Sequence, residues 1–169
     1  VTVICCADLS AGALDAVLSG YSIRACRLTA GDRIPGSYWG EPEAGLIGDC
    51  LYVRGDTPIH SALHEACHLI CMSPGRRANL QGNAGGDYQE ENGVCYLQIV
   101  LSGYVPGMGR DRMFRDMDEW GYSFRLGSSS EWFRRDAEDA RVWLERRGLL
   151  NRHGLPTWRM RGVADSTRD

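Results

Sequence analysis

Thr57-Pro58-Ile59-His60-Ser61-Ala62-Leu63-His64-Glu65-Ala66-Cys67-His68-Leu69-Ile70-Cys71-Met72-Ser73-Pro74-Gly75 is the stretch around which the rest of the chain is read. Thr57 suits an N-cap and Pro58 the first helical position, where a missing N–H costs nothing. Ile59, Leu63, Cys67 and Ile70 recur at helical spacing, and Ser73-Pro74-Gly75 stops the run. The pattern predicts one helix with an apolar stripe.

Upstream, the apolar, β-branched run Val1 to Cys6 reads as a buried strand. Asp8 or Ser10 can cap a short helix through about Leu18, ended by Gly20. Tyr21 to Leu28 alternates as a second strand. Gly31 to Pro42 is a Gly- and Pro-rich loop displaying Tyr38 and Trp39. Gly45–Gly48 and Cys50–Arg54 read as two strands of a hairpin joined at Gly48-Asp49, whose edge could receive an extended peptide.

Downstream the pattern is helical. Helices are expected from Asp87 to about Leu101, across Asp111 to Trp120, and from Ser128 to Gly148, with Ser128 and Glu131 as a capping box. Strands first and helices after argue for an α+β fold, a small N-terminal sheet followed by a helical half carrying the motif helix. Residues 1–150 make one domain. Residues 151–169, poor in apolar anchors, are expected to form a poorly ordered or loosely packed tail.

The 169 residues are 43% hydrophobic and 24% charged, enough for a real core. A formal net charge of -3, with the arginines interleaved among acids, gives no field for nucleic acid or an anionic membrane. No apolar run is long enough to span a bilayer, and the opening residues lack the pattern of a secretory signal. Seven cysteines without a CxxC pair read as buried free thiols in a reducing compartment, so a cytoplasmic protein is expected.

The chemistry lies in His64-Glu65-Ala66-Cys67-His68. Two imidazoles four residues apart project from one helix face and can share one tetrahedral zinc ion. Glu65 projects beside them, where it reaches a water rather than the metal and can act as general base. His60 cannot join His68 on the same ion, because eight residues span roughly 12 Å of helix axis. It is expected to face solvent, or to orient His64 or touch substrate.

A catalytic zinc needs a third protein ligand, and no further His follows within Leu69 to Asn79. The candidates are carboxylates in Asp87-Tyr88-Gln89-Glu90-Glu91-Asn92-Gly93-Val94. Glu90 is preferred, because Gly93 three residues on would let the two helices approach, and Glu91 is the alternate. Asp87 and Glu90 also fit a D-x-x-E cap, and Cys71 is a further thiolate candidate. Tyr88, Tyr38, Tyr122, Arg125 and His60 are candidates for stabilising an oxyanion, with Tyr88, Tyr38 and His60 also candidates for substrate contact. Asp49 and Asp56 are candidates to orient the ligand imidazoles.

Over Thr57 to Leu101 these residues resemble the gluzincin zinc metallopeptidases, in which HExxH on one helix is completed by a Glu on the next. The short interhelical loop and the Glu90-to-Gly93 spacing are similar to compact intracellular members of the ImmA/IrrE type. There the small residue is typically Ala followed by Asn; here Gly93 is followed by Val94. The resemblance implies a zinc-dependent hydrolase acting on a peptide or protein. The competing expectations are a non-catalytic zinc-binding regulatory or interaction module, and a metal-free domain that meets a partner through Trp and Arg surfaces.

Overall fold

The computed structural model describes residues 2–163. Three strands, β1 (Arg24–Leu28), β2 (Gly45–Ile47) and β3 (Cys50–Arg54), form one sheet in the order β1-β3-β2. β1 runs parallel to β3, with Cys26 opposite Tyr52, and β2 runs antiparallel to it, with Leu46 opposite Leu51. A short helix α1 (Asp15–Leu18) precedes the sheet. Helices α2 (Ile59–Cys71), α3 (Pro74–Ala78), α4 (Tyr88–Ser102), α5 (Arg110–Trp120), α6 (Ser129–Arg135) and α7 (Glu138–Arg146) follow it. The fold is α+β.

α2 is the central element. Every one of its residues is buried, against β2 and β3 on one side and α4 and α5 on others. A helix enclosed all round needs apolar or internally satisfied residues on every face, more than the single stripe the sequence suggests. Its start differs from expectation by one residue. Pro58 is the N-cap, and the Thr57 hydroxyl accepts from Arg54 N at 2.9 Å, closing the turn out of β3.

Several other expectations shift. Val1 lies outside the described residues, and Thr2–Ile4 form no strand. The segment's neighbour is the start of α2, where Cys5 bridges Pro58, Ile59 N donates to Ile4 O at 2.8 Å and Cys6 N donates to Thr57 O at 2.9 Å. The single helix expected from Ser128 to Gly148 is two, α6 and α7, parted at Asp136-Ala137. Asp136 leaves the helical path to receive the Arg125 guanidinium. The Ser128 cap is present, its Oγ accepting from Glu131 N.

Cys26 and Cys50 are joined in a disulfide between β1 and β3, against the expectation that all seven cysteines are free. Cys67, Cys71 and Cys95 are buried free thiols. Residues 151–163 of the expected loose tail pack on the domain. Trp158 lies against Gly20 and rings with Tyr21 and Tyr104, and Arg161 N donates to Ile70 O at 2.9 Å. Residues 164–169 are outside the described part. Among the described residues, no helix is long and apolar enough to cross a membrane.

Candidate metal centre

His64 and His68 sit one turn apart on α2 with their rings nearly perpendicular, centroids 4.7 Å apart. Their Nε2 atoms converge to 3.1 Å. The third corner is Glu91 on α4, with Oε1 3.2 Å from His64 Nε2 and Oε2 3.3 Å from His68 Nε2. A tetrahedral ion held at ~2.0–2.2 Å sets neighbouring donors roughly 3.3–3.6 Å apart, near the spacing between the imidazole nitrogens and between each of them and its own Glu91 oxygen. Two neutral imidazoles and one carboxylate are also a donor set that suits a divalent ion of borderline softness. The three side chains form a group that could hold a metal ion.

Glu90, the carboxylate favoured from sequence, is elsewhere. Arg76 Nη1 binds both its oxygens at 2.8 and 2.9 Å, and Arg161 Nη1 reaches Oε2 at 3.2 Å. Gly93 does not face α2 either. A Cβ there would meet the Trp143 ring at 2.8 Å, so the small residue admits α7 instead. Adjacent residues on a helix diverge by about 100°, so Glu90 and Glu91 cannot share a target. The cap reading of Asp87 holds, since its Oδ1 accepts from Glu90 N at 2.9 Å.

The sequence analysis missed Gln98. Its Oε1 is 3.0 Å from His64 Nδ1, and its Nε2 donates to His60 O at 2.9 Å. Gln98 is fully buried and seven residues after Glu91, so both occupy the α4 face that meets α2. A lone amide inside the apolar run Val94 to Leu101 was the available signal. Asp49 and Asp56 do not serve this purpose; they pair with Arg24 and Arg54.

Glu65 is 6% exposed and lines the same cleft as His64, His68 and Glu91. Burial pushes its carboxyl up to about 7; His64 pulls the other way, while Glu43 and Glu91 add to the rise. Burial, with His64, holds the His68 imidazole down at about 3. At His64 burial also opposes protonation, but Tyr122, Cys95 and Glu91 outweigh it and raise its pKa well above the ordinary value. Glu91 stays below the usual carboxylate range, the two histidines overcoming its desolvation.

The remaining candidates separate cleanly. His60 is wholly buried rather than solvated, its Nδ1 3.4 Å from the Tyr122 hydroxyl and its ring 4.9 Å from Trp120. Tyr122 lies beside the centre, its ring 5.7 Å from His64. Tyr38 and Trp39 reach the cleft from a loop pinned by Glu41, which accepts from Ile34 N and from Arg54. Tyr88 lines a different groove with Trp143, and Arg125 is bound to Asp136. Cys71 is buried among core side chains rather than at the centre.

The hairpin edge offered from sequence is partly occupied. Ile47 bridges Gln81, and Gly45 lies so close to Pro35 O that any Cβ would collide with it. Two clefts open on the centre. One, of about 250 Å³, runs between Tyr38, Glu65 and the glycine loop 82–86; the other, of about 470 Å³, lies toward Trp120 and Tyr122. Both include Trp39, His64 and Glu91.

Compared with known proteins, the chain matches no family model, no curated sequence and no solved structure.

Proposed function

We propose that the protein is a zinc-dependent hydrolase of the gluzincin type, acting on peptide bonds. The observation that supports this best is the position of Glu65 beside the His64, His68 and Glu91 triangle, a carboxyl buried in a cleft whose other walls hold the three donors. His64, His68 and Glu91 would hold the ion through Nε2, Nε2 and the carboxylate. Zinc so held supplies a Lewis acid for a substrate carbonyl and lowers the pKa of a water toward neutrality.

The protein's own residues do the rest. Glu65, buried in the cleft that the three donors line, can take a proton from an attacking water and return it to the leaving nitrogen. Gln98 accepts from His64 Nδ1–H and so keeps the Nε2 lone pair turned to the centre. Tyr122, whose ring lies 5.7 Å from that of His64, is assigned to donate to the developing oxyanion. Tyr38 and Trp39 flank the substrate path.

The test is metal content together with turnover. The purified chain should carry one zinc per molecule and cleave peptides from a mixed-sequence library. Glu65→Gln should keep the zinc and lose at least a hundredfold in kcat, the lower end of what general-base removal costs. Full zinc and a correct fold with no cleavage of any peptide by the wild type would instead establish a non-catalytic zinc module.

A further inference from the structure

Two side chains of the larger cleft, Glu43 and Trp120, have no part in the hydrolase reading. The cleft's walls are the rings of Trp39, Trp120 and Tyr122, and Glu43 lies among them. Trp120 Nε1 donates to Glu43 Oε1 at 2.9 Å, so the carboxylate is fixed in the aromatic wall instead of waving in solvent. No ion pair among the described residues involves Glu43. No arginine lines either cleft, and the chain contains no lysine.

Aromatic faces attract cations through the negative potential of the ring, and a carboxylate held between them adds a directed acceptor. Away from the metal ligands, an anionic group entering here would meet the Glu43 carboxylate, and no arginine lines that wall to receive it. A neutral apolar group would find the rings but leave Glu43 without a charge partner in a half-enclosed wall. At about 470 Å³ the space lies within the ~300–1,000 Å³ typical of ligand pockets. It also touches His64 and Glu91, so its occupant would be held directly beside the reacting centre.

We infer that this cleft is a specificity subsite for a basic side chain, a guanidinium or alkylammonium, of the residue flanking the cleaved bond. The flanking position rests on the hydrolase reading; recognition of the cation by Glu43, Trp39 and Trp120 does not. The planar guanidinium suits this site better than an ammonium, because it can stack on a ring while donating in its own plane to Glu43.

The test compares arginine with citrulline, which has nearly the same shape and no charge. In one arm the zinc-loaded chain is given fluorogenic peptides differing only in that residue. In the other, N-acetyl-arginine amide and N-acetyl-citrulline amide are titrated against tryptophan fluorescence, which needs no turnover. Arginine should be favoured about tenfold in kcat/KM and in affinity, and Glu43→Gln should bring arginine to the citrulline level in both. Preferential binding of the arginine probe with no peptide cleaved would keep this subsite and remove the hydrolase reading. Equal behaviour of arginine and citrulline in the wild type would overturn the inference whether or not peptides are cleaved. A preference that survives in folded Glu43→Gln would overturn it as well.

Discussion

His64 Nδ1 and Gln98 Oε1 lie 3.0 Å apart, and this contact orients one imidazole from the opposite helix. The Gln98 amide has no freedom to flip, because its nitrogen is committed to His60 O at 2.9 Å. Its oxygen must face His64, which must then present an N–H at Nδ1. Replacing Gln98 by Leu removes the acceptor at His64 Nδ1 and leaves the ring free to rotate. Zinc affinity should fall about 10- to 100-fold, read by competition with a chelating dye at pH 7. Unchanged affinity would mean that α2 packing alone fixes the ring.

Glu90 and Glu91 should respond oppositely to the same change. Glu91→Gln should lower metal affinity at least tenfold, since it weakens one of three ligands. Glu90→Gln should retain one metal per chain but destabilise the fold by about 3 kcal/mol, near the lower bound for breaking a buried ion pair. Denaturant unfolding and metal analysis on both variants check this pair. Loss of metal in Glu90→Gln with retained stability would reverse the assignment.

Glu65 gives the metal-free protein a specific pH dependence. Its folded pKa of about 7 lies above the ordinary 4.5, so the folded chain binds the proton more tightly than the unfolded one. The associated stability is full below about pH 4.5 and is lost as pH rises through about 7. The stability difference between Glu65→Gln and wild type should therefore widen in favour of the variant across that window. A difference independent of pH would show that Glu65 does not titrate there.

His60 acts in the other direction. Burial holds its imidazole at about 3, below the ordinary 6.5, so the folded protein keeps it neutral. Its contribution is present above about pH 6.5 and is lost as pH falls toward 3. His60→Gln should make the metal-free chain less sensitive to acid, measured as a smaller drop in Tm between pH 6.5 and 4.5. An equal drop in both proteins would place the acid sensitivity elsewhere.

Trp158 ties the last described segment to the domain. Its ring rests on Gly20, with Tyr21 at 5.4 Å and Tyr104 at 5.2 Å between centroids. Trp158→Ala should cost about 3 kcal/mol in unfolding free energy, the low end for removing a packed Trp. A change under about 0.5 kcal/mol, the size typical of surface substitutions, would show that the segment does not contribute to the core.

The sequence by itself determined the local facts. His64 and His68 share a helical face because they are four residues apart, with Glu65 turned about 100° to one side, and this spacing holds wherever the helix sits. The caps at Asp87 and Ser128 and the turn at Gly48-Asp49 were readable for the same reason, since each depends on residues within a few positions. The α+β order followed from where strand and helix periodicities change.

Which of two adjacent glutamates meets the imidazoles was not a local matter. It depends on the rotation of α4 about its axis, set by Trp143 filling the space over Gly93 and by Arg76 and Arg161 drawing Glu90 away. The role of Gln98, the burial of His60 beneath Trp120 and the pairing of Glu43 with Trp120 likewise join residues tens of positions apart. Periodicity specifies which side chains share a face. Only the packing of one helix against another decides what that face looks at.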